Sequence, residues 1–479
     1  MVKRILWVIL ALIAVLVAIL VFNAVTFKSK QLPIVATPAP AVPPAALEHL
    51  QEAIRYKTIS FNDSTLLDTA QFYGFHRFLE KTYPAVHANL VREKIRKYSL
   101  LYFWKGKNPS LKPIVLMAHQ DVVPIEEASK SNWTVEPFSG DLKDGFIWGR
   151  GSADNKINVI GIFETIEKLL KENYQPERSL YFALGHDEER GGTGAVAIAA
   201  ALKQRGVSAE MVLDEGGIVT REKVPGMTKP VALIGTAEKG YLTLLLSVDK
   251  NGGHSSMPEQ ETALDILSKA VVNIRQHPFP ANFAPATVGF MDHVGPEMPY
   301  PEKIVFANTW LFKSVVIGIY EKSPGGNAVV RTTAVPTIFN AGMKDNVVPT
   351  KATVTINLRL LQGDGSEKVI AEIKKIIQDD RVSIAVSKEF SAEPSATSPE
   401  DGFGYKRVDE TVKKTFAETV TTPFLMIGGT DSRHFEDLST NIIKFSPMTD
   451  PIGFHGIDER VSLESYQQTL WFYDQLIRQ

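Results

Sequence analysis

The sequence predicts an α/β protein: a central, mostly parallel sheet with helices on both faces, interrupted by a smaller α+β unit and preceded by a transmembrane helix. Three observations carry this. Apolar, strand-like runs alternate with helical stretches from residue 46 to about 235, and the alternation returns after about 392. Between them the content shifts to about four strands and two helices. The chain opens on a long apolar run next to basic residues.

At the N-terminus, Lys3 and Arg4 precede Ile5 to Val25, in which only Asn23 is polar. At 1.5 Å per residue, about 20 residues cross a hydrocarbon core of roughly 30 Å. The run outlasts the apolar part of a signal peptide, and Phe22 spoils the small-residue pattern of a cleavage site after Ala24. Residues 1–28 are therefore expected to be a signal-anchor, with a cleaved signal peptide as the alternative. Either places the rest of the chain outside the cytoplasm, periplasmic or lumenal, or secreted after cleavage. Pro33, Pro38, Pro40, Pro43 and Pro44 make 29–45 an extended spacer.

Residues 46–237 form the first part of the larger domain. Its strands include Pro113–His119, Ser179–Leu184 and Met211–Asp214, and its helices Val159–Glu172 and Ala195–Arg205. Residues 238–391 form the smaller unit. Its expected strands are Tyr241–Lys250, Val335–Ala341, Ala352–Leu361 and Val382–Glu389, and its helices Glu261–Gln276 and Ser366–Asp379. Within it, 277–331 is rich in Pro, Phe and Gly and shows no clear period, so it reads as a long insertion of that unit or as part of its interface. Residues 392–479 complete the larger domain through Gly404–Glu418, Asn441–Phe445 and Leu463–Arg478.

Composition narrows the function classes. A chain of 479 residues exceeds one compact core. A formal net charge of -2 supplies no basic field for nucleic acid. The absence of cysteine excludes disulfides, thiolate metal sites and cysteine nucleophiles, so any metal site must be built from His, Asp and Glu.

Five segments offer such a site. His119-Gln120-Asp121 ends an apolar strand, and Asp121, two residues on, can hold the second imidazole nitrogen of His119. Asp154 follows a glycine-rich turn just before a helix, where it is equally a metal ligand or an N-cap. Asp187-Glu188-Glu189 also follows a strand, and three adjacent acids suit either a solvated loop or a cation. Asp214-Glu215 ends another strand, and His455 lies near the C-terminus. Four of the five sit at strand ends or in the loops just after, where open α/β sheets bind ligands. The donor set suits zinc, manganese or cobalt.

The motifs HQDVVP (119–124), GRGSADNK (149–156), DEERGG (187–192), LDEGG (213–217), GGHSSMP (252–258) and GGTDSRHF (428–435) together resemble the M20 metallopeptidases, closest to the branch of carboxypeptidase S and the N-fatty-acyl-amino-acid synthase/hydrolase. The resemblance implies two divalent metal ions, zinc first among them, held by His119, Asp154, Glu189, Asp214 and His455, with Asp154 bridging. It implies that Asp121 orients His119, that Glu188 is the general base, and that His254 polarises the scissile carbonyl. Asn346, Arg359 and the turn Gly428, Gly429, Thr430 would hold the substrate, with 238–391 acting as a lid. His455 is preferred over nearby His434 because FHGIDE fits the family's closing pattern.

The reaction implied is hydrolysis of the amide next to a free C-terminal carboxylate, in short peptides or N-acyl amino acids. An aminopeptidase of the M28 type and a non-catalytic peptide-binding membrane protein are the alternatives. Arg359 speaks against the first and the full set of acids against the second. Monomer and homodimer are both open. Phe279, Phe283, Phe290, Trp310 and Phe312 are either core or a site for an apolar acyl group.

Overall fold

The computed structural model describes residues 1–61, 63–388 and 390–479. Eight strands form the larger sheet, in the order Val91–Ile95, Ser99–Trp104, Leu180–Gly185, Ile114–His119, Met211–Thr220, Ile442–Thr449, Val231–Glu238, Val420–Met426. The sheet is mixed where a mostly parallel one was expected. Val91–Ile95 turns straight back into Ser99–Trp104 through Arg96 and Lys97, both at positive φ, and so short a connection allows only antiparallel pairing. The central strands are parallel and buried on both faces. Leu116 and Leu213 face one core; Val115, Met117 and Val212 face the other.

The helix Lys156–Lys171 buries every residue from Lys156 to Phe163, and it packs beside Leu463–Arg478 under the first face. Thr193–Gln204 covers the second through Ala195, Ile198, Ala199 and Leu202. Each fully buried Ile or Leu contributes about 1.5–3 kcal/mol.

The smaller sheet has the order Thr333–Ala341, Lys351–Leu360, Gly240–Asp249, Ser383–Val386, all antiparallel. Leu242, Leu244, Leu246 and Val248 alternate inward, as do Ala352, Val354, Ile356 and Leu358. They meet two helices, Ala263–Gln276, started by a Thr262/Asp265 capping box, and Ser366–Ile377. The strand expected over 382–389 is shorter, and Glu389 lies outside the described residues.

Two expectations change. The 277–331 segment is helical: Pro285–Val294, Tyr300–Ala307, Thr309–Tyr320 and Pro324–Val330. Pro285, Pro301 and Pro324 sit in first turns, where a missing N–H costs nothing, so they start helices that a breaker reading ends. Val294 and Met298 pack with Val231, Leu233 and Val420, so the segment covers the edge of the larger sheet. The expected spacer 29–45 is extended to residue 43, where the helix Pro44–Arg55 starts, and it is not free. The Gln31 amide donates to Thr421 O and its oxygen accepts from Lys413 Nζ, while Thr37 N donates to Lys414 O.

Candidate metal centre

Ile114–His119 and Leu180–Gly185 run parallel with His119 opposite Gly185, so the loops after them leave the sheet side by side. Met211–Thr220 flanks them in parallel. A side chain at Gly185 would bring Cβ to 2.6 Å from Asp431 Oδ2, so only glycine lets the strand end this close to the 431–435 turn.

Asp154 stands between two groups of donors. Its Oδ1 lies 3.0 Å from His119 Nε2, which is 3.1 Å from Glu215 Oε1. Its Oδ2 lies 3.0 Å from His455 Nε2, which is 3.2 Å from Glu189 Oε2. Each triad, His119–Asp154–Glu215 and Asp154–Glu189–His455, gathers its ligand atoms within 4.8 Å. Asp154 is not a helix cap: Asn155 is the N-cap residue of Lys156–Lys171. His434 lies in neither triad; it sits by Gly192.

Glu215 takes the place expected of Asp214. Neighbouring strand residues point to opposite faces, and here the one facing the cluster is Glu215. The Asp214 oxygens accept from Glu215 N at 2.9 Å and Ser432 N at 2.8 Å, which ties the 431–435 turn to the sheet. Glu215→Ala is expected to lower bound metal from two ions toward one, and Asp214→Asn to leave it near two. Metal analysis of the purified variants decides between them, and the reverse result would restore Asp214 as the ligand.

The three adjacent acids divide their work. Asp187 accepts from Thr193 Oγ1 at 2.5 Å and Gly194 N at 2.8 Å, at the start of the Thr193–Gln204 helix. Glu188 stands electrostatically among His119, Asp431, Glu215 and Glu189. Glu189 belongs to the second triad, and its Oε1 is buried without a hydrogen-bond partner. Asp121, fully buried, lies 3.3 Å from His119 Nδ1 and accepts from Glu188 N, Glu189 N and Ser60 Oγ. It thus fixes the imidazole and the acidic turn together.

Glu459 is the residue the sequence reading left without a role. Its fully buried carboxylate accepts from Arg150 Nη1 at 2.6 Å and from Gly151, Ala153 and Asp154 N at 2.9, 2.9 and 3.2 Å. It therefore holds the turn that carries Asp154. The one signal for it was the acid four residues after His455. Asn155 is similar: it donates to Glu215 Oε2 at 2.6 Å.

The remaining expected residues stand apart from the triads. His254, exposed, hydrogen-bonds Ser256 Oγ at 2.8 Å. The short pairing of Gly253–His254 with Val347–Val348 brings Asn346 beside it, where its carbonyl accepts from Ser255 N. Arg359 lies over the Tyr241 ring at 4.6 Å, and burial, aided by neighbouring Arg433, lowers its pKa. Thr430 donates to Glu238 Oε1 at 2.8 Å, Gly429 lies against the Arg433 guanidinium, and a side chain at Gly428 would meet nothing. Arg433 was missed because its position shows only in the fold.

Residues 115–479 match the peptidase family M20/M25/M40. The chain belongs to that family. It is 41% identical over 440 residues to the Probable carboxypeptidase S-like 2 of Dictyostelium discoideum, covering 90% of this chain and 84% of that one. It is 39% identical to the human N-fatty-acyl-amino acid synthase/hydrolase PM20D1, covering 91% and 87%. The fold is similar to that of the M20 metallo-carboxypeptidase Sso-CP2 of Sulfolobus solfataricus, with a TM-score of 0.65, 18% identity, and coverage of 90% and 98%. The protein is an M20 metallohydrolase.

The electrostatics of this M20 site bear on the cations. Burial, with Asp154 and Asp214 adding to it, pushes Glu215 up to about 8. Burial also raises Glu188 and Glu189. Hydrogen bonds to Asp154 and Glu189 raise His455 to about 10. A group with a raised folded pKa stabilises fully below its unfolded pKa, and that stability is lost as pH rises through the folded one. For Glu215 the window runs from 4.5 to about 8, and for His455 from 6.5 to about 10. Asp154 is held low by hydrogen bonds from His119 and His455 despite burial, so its opposite effect is confined to strongly acid pH. Buried bases outside the cluster act in the opposite sense, Lys156 lowered to about 7 and His76 to about 4, with or without cations. The comparison is therefore with zinc-saturated protein. From about pH 5 to about pH 9 the melting temperature of chelator-stripped protein is expected to fall progressively further below it. A gap between the two that does not widen over that range would contradict this electrostatic reading.

Proposed function

We propose that this M20 hydrolase cleaves the amide next to a free carboxylate, in short peptides or N-acyl amino acids, with two divalent cations, zinc first among them. Asp154 carries the reading: its two oxygens face two different donor triads. The residues fit a pair of cations. Acids that repel one another are gathered and pushed toward protonation, and Glu189 Oε1 is left unsatisfied. His119, Asp154 and Glu215 would hold one ion, and Asp154, Glu189 and His455 the other. When bound, the ions supply an acidified water and a Lewis acid for the carbonyl. Glu188 takes the proton of the attacking water and returns it to the leaving amine.

Substrate contacts come from the smaller unit, 238–391, acting as a lid. Arg359, with Arg433 beside it, offers fixed donors for the carboxylate. His254, with Asn346 beside it, reaches the scissile carbonyl when the lid closes. The linking segments pair through Tyr241 and Ala392, which makes a compact hinge. The Val2–Thr26 helix, with Ala24 its one buried residue, anchors the enzyme to a membrane with its site outside the cytoplasm.

The test is a hydrolysis panel of dipeptides, N-acetyl and N-oleoyl amino acids, their amides, and an aminopeptidase substrate. Free-carboxylate substrates are expected to turn over and their amides not. Preference for a free amine would sink the assignment. Arg359→Ala is expected to raise KM by on the order of 10- to 100-fold, from a lost charged contact of about 1.5–3 kcal/mol. His254→Ala is expected to lower kcat about 100-fold with metal content unchanged; loss of metal would misplace His254.

A further inference from the structure

The helix Thr309–Tyr320, TWLFKSVVIGIY, lacks the polar face a solvated helix needs. Lys313 is its one charged residue and Val316 its one buried one. Leu311, Val315 and Ile319, at i, i+4 and i+8, form one exposed stripe, with Val315 54% and Ile319 56% exposed, and Trp310, 61% exposed, stands beside the bend at the first turn. The preceding helix, Tyr300–Ala307, meets it at 115° and exposes Tyr300. Twelve residues reach only about 18 Å, so this helix cannot cross a bilayer.

The N-terminal helix is fastened to this bend. Asn23 Nδ2 donates to Asn308 Oδ1 at 2.8 Å, and Asn308 Nδ2 donates to Leu20 O at 3.0 Å. Trp310 Nε1 donates to the same Asn308 oxygen at 3.3 Å. Gly295 leaves room for the Phe27 ring, since a Cβ there would lie 2.7 Å from it. A 25-residue helix is about 37 Å long, some 7 Å more than a hydrocarbon core of roughly 30 Å. With Lys3 and Arg4 outside the core at one end, the apolar run from Ile5 brings Asn23 to the boundary between acyl chains and headgroups at the other. Asn308 and Trp310 are then held at that level too, where tryptophan and tyrosine favour the interface.

We propose that Tyr300–Ala307 and Thr309–Tyr320 form a membrane-docking element that lies in the headgroup and upper acyl region of the bilayer entered by the N-terminal helix. The occupant of the apolar face is phospholipid, because the helix fixed to the bend is itself apolar from Ile5 to Phe22. The inference rests on the reading of Val2–Thr26 as a retained anchor and goes beyond it: it adds a second contact that holds the enzyme down on the membrane.

The cysteine-free chain gives a direct test. Full-length Val315→Cys, Ile319→Cys, Leu12→Cys and Val196→Cys, each labelled with an environment-sensitive fluorophore, are reconstituted in phosphatidylcholine–phosphatidylglycerol vesicles. Probes at 315 and 319 are expected to shift to the blue and to lose most of their emission to lipids spin-labelled near the headgroup. The probe at 12 is expected to respond to deeper labels, and the one at 196, exposed on the Thr193–Gln204 helix, to neither. If 315 and 319 behave like 196 while 12 is quenched, the docking element is overturned and the anchor stands. If 12 is also unquenched, both fall. Water-exposed probes at 315 with disulfide-linked dimers of unlabelled Val315→Cys would assign the face to a second copy and overturn the proposal.

Discussion

Glu188→Gln is expected to retain two metal ions and lose turnover by about 10²–10⁴-fold. Glu188 belongs to neither ligand triad, so the neutral isostere leaves the cations their donors. What it removes is the carboxylate proposed to accept the proton of the attacking water. The pH profile gives a second readout. A general base must be ionised, so activity in the parent rises with pH through the pKa of Glu188. Burial, with Asp431, Glu215 and Glu189 adding to it, sets that pKa above the ordinary carboxyl range in the cation-free site. Bound cations would bring it back down. In the variant, the limb of the residual activity that belongs to Glu188 should be absent. Parent-like turnover from metal-replete Glu188→Gln would remove it as the base.

Glu459→Ala is expected to cost about 3–5 kcal/mol of stability. The change leaves the Arg150 guanidinium buried without its carboxylate and takes the acceptor from three backbone N–H groups. Because one of them belongs to Asp154, the loss should also reach the cations, with bound metal falling below two per chain. Glu459→Gln keeps one oxygen for the turn but presents an amide to Arg150, so a smaller loss is expected. Thermal unfolding and metal content, measured on the same samples, check both. An unchanged melting temperature with full metal in the alanine variant would show that the turn holds Asp154 without Glu459.

Local chemistry made much of this legible. The alternation of Leu242, Leu244, Leu246 and Val248 announces a strand with one buried face, and the structure has it. His119, Asp154, Glu189 and His455 were legible because each stands at a strand end or in a short glycine-rich loop, and the structure brings all four together. The 277–331 segment was not legible. Proline is ambiguous in a sequence, ending one helix or starting the next, and which it does depends on the residues that follow finding a surface to cover.

The sequence by itself determined the family, the α/β class and the donor types, since these rest on short motifs, short-range pattern and residue chemistry. The tertiary structure alone decided which of two adjacent acids faces the cluster. Asp214 and Glu215 are both carboxylates at a strand end, and only pairing with the 431–435 turn occupies the one and leaves the other to meet His119. It alone gave Glu459 its role and fastened Asn23 to Asn308, across 305 and 285 residues of chain. Contacts at such separations are set by how the elements pack, and no local pattern encodes them.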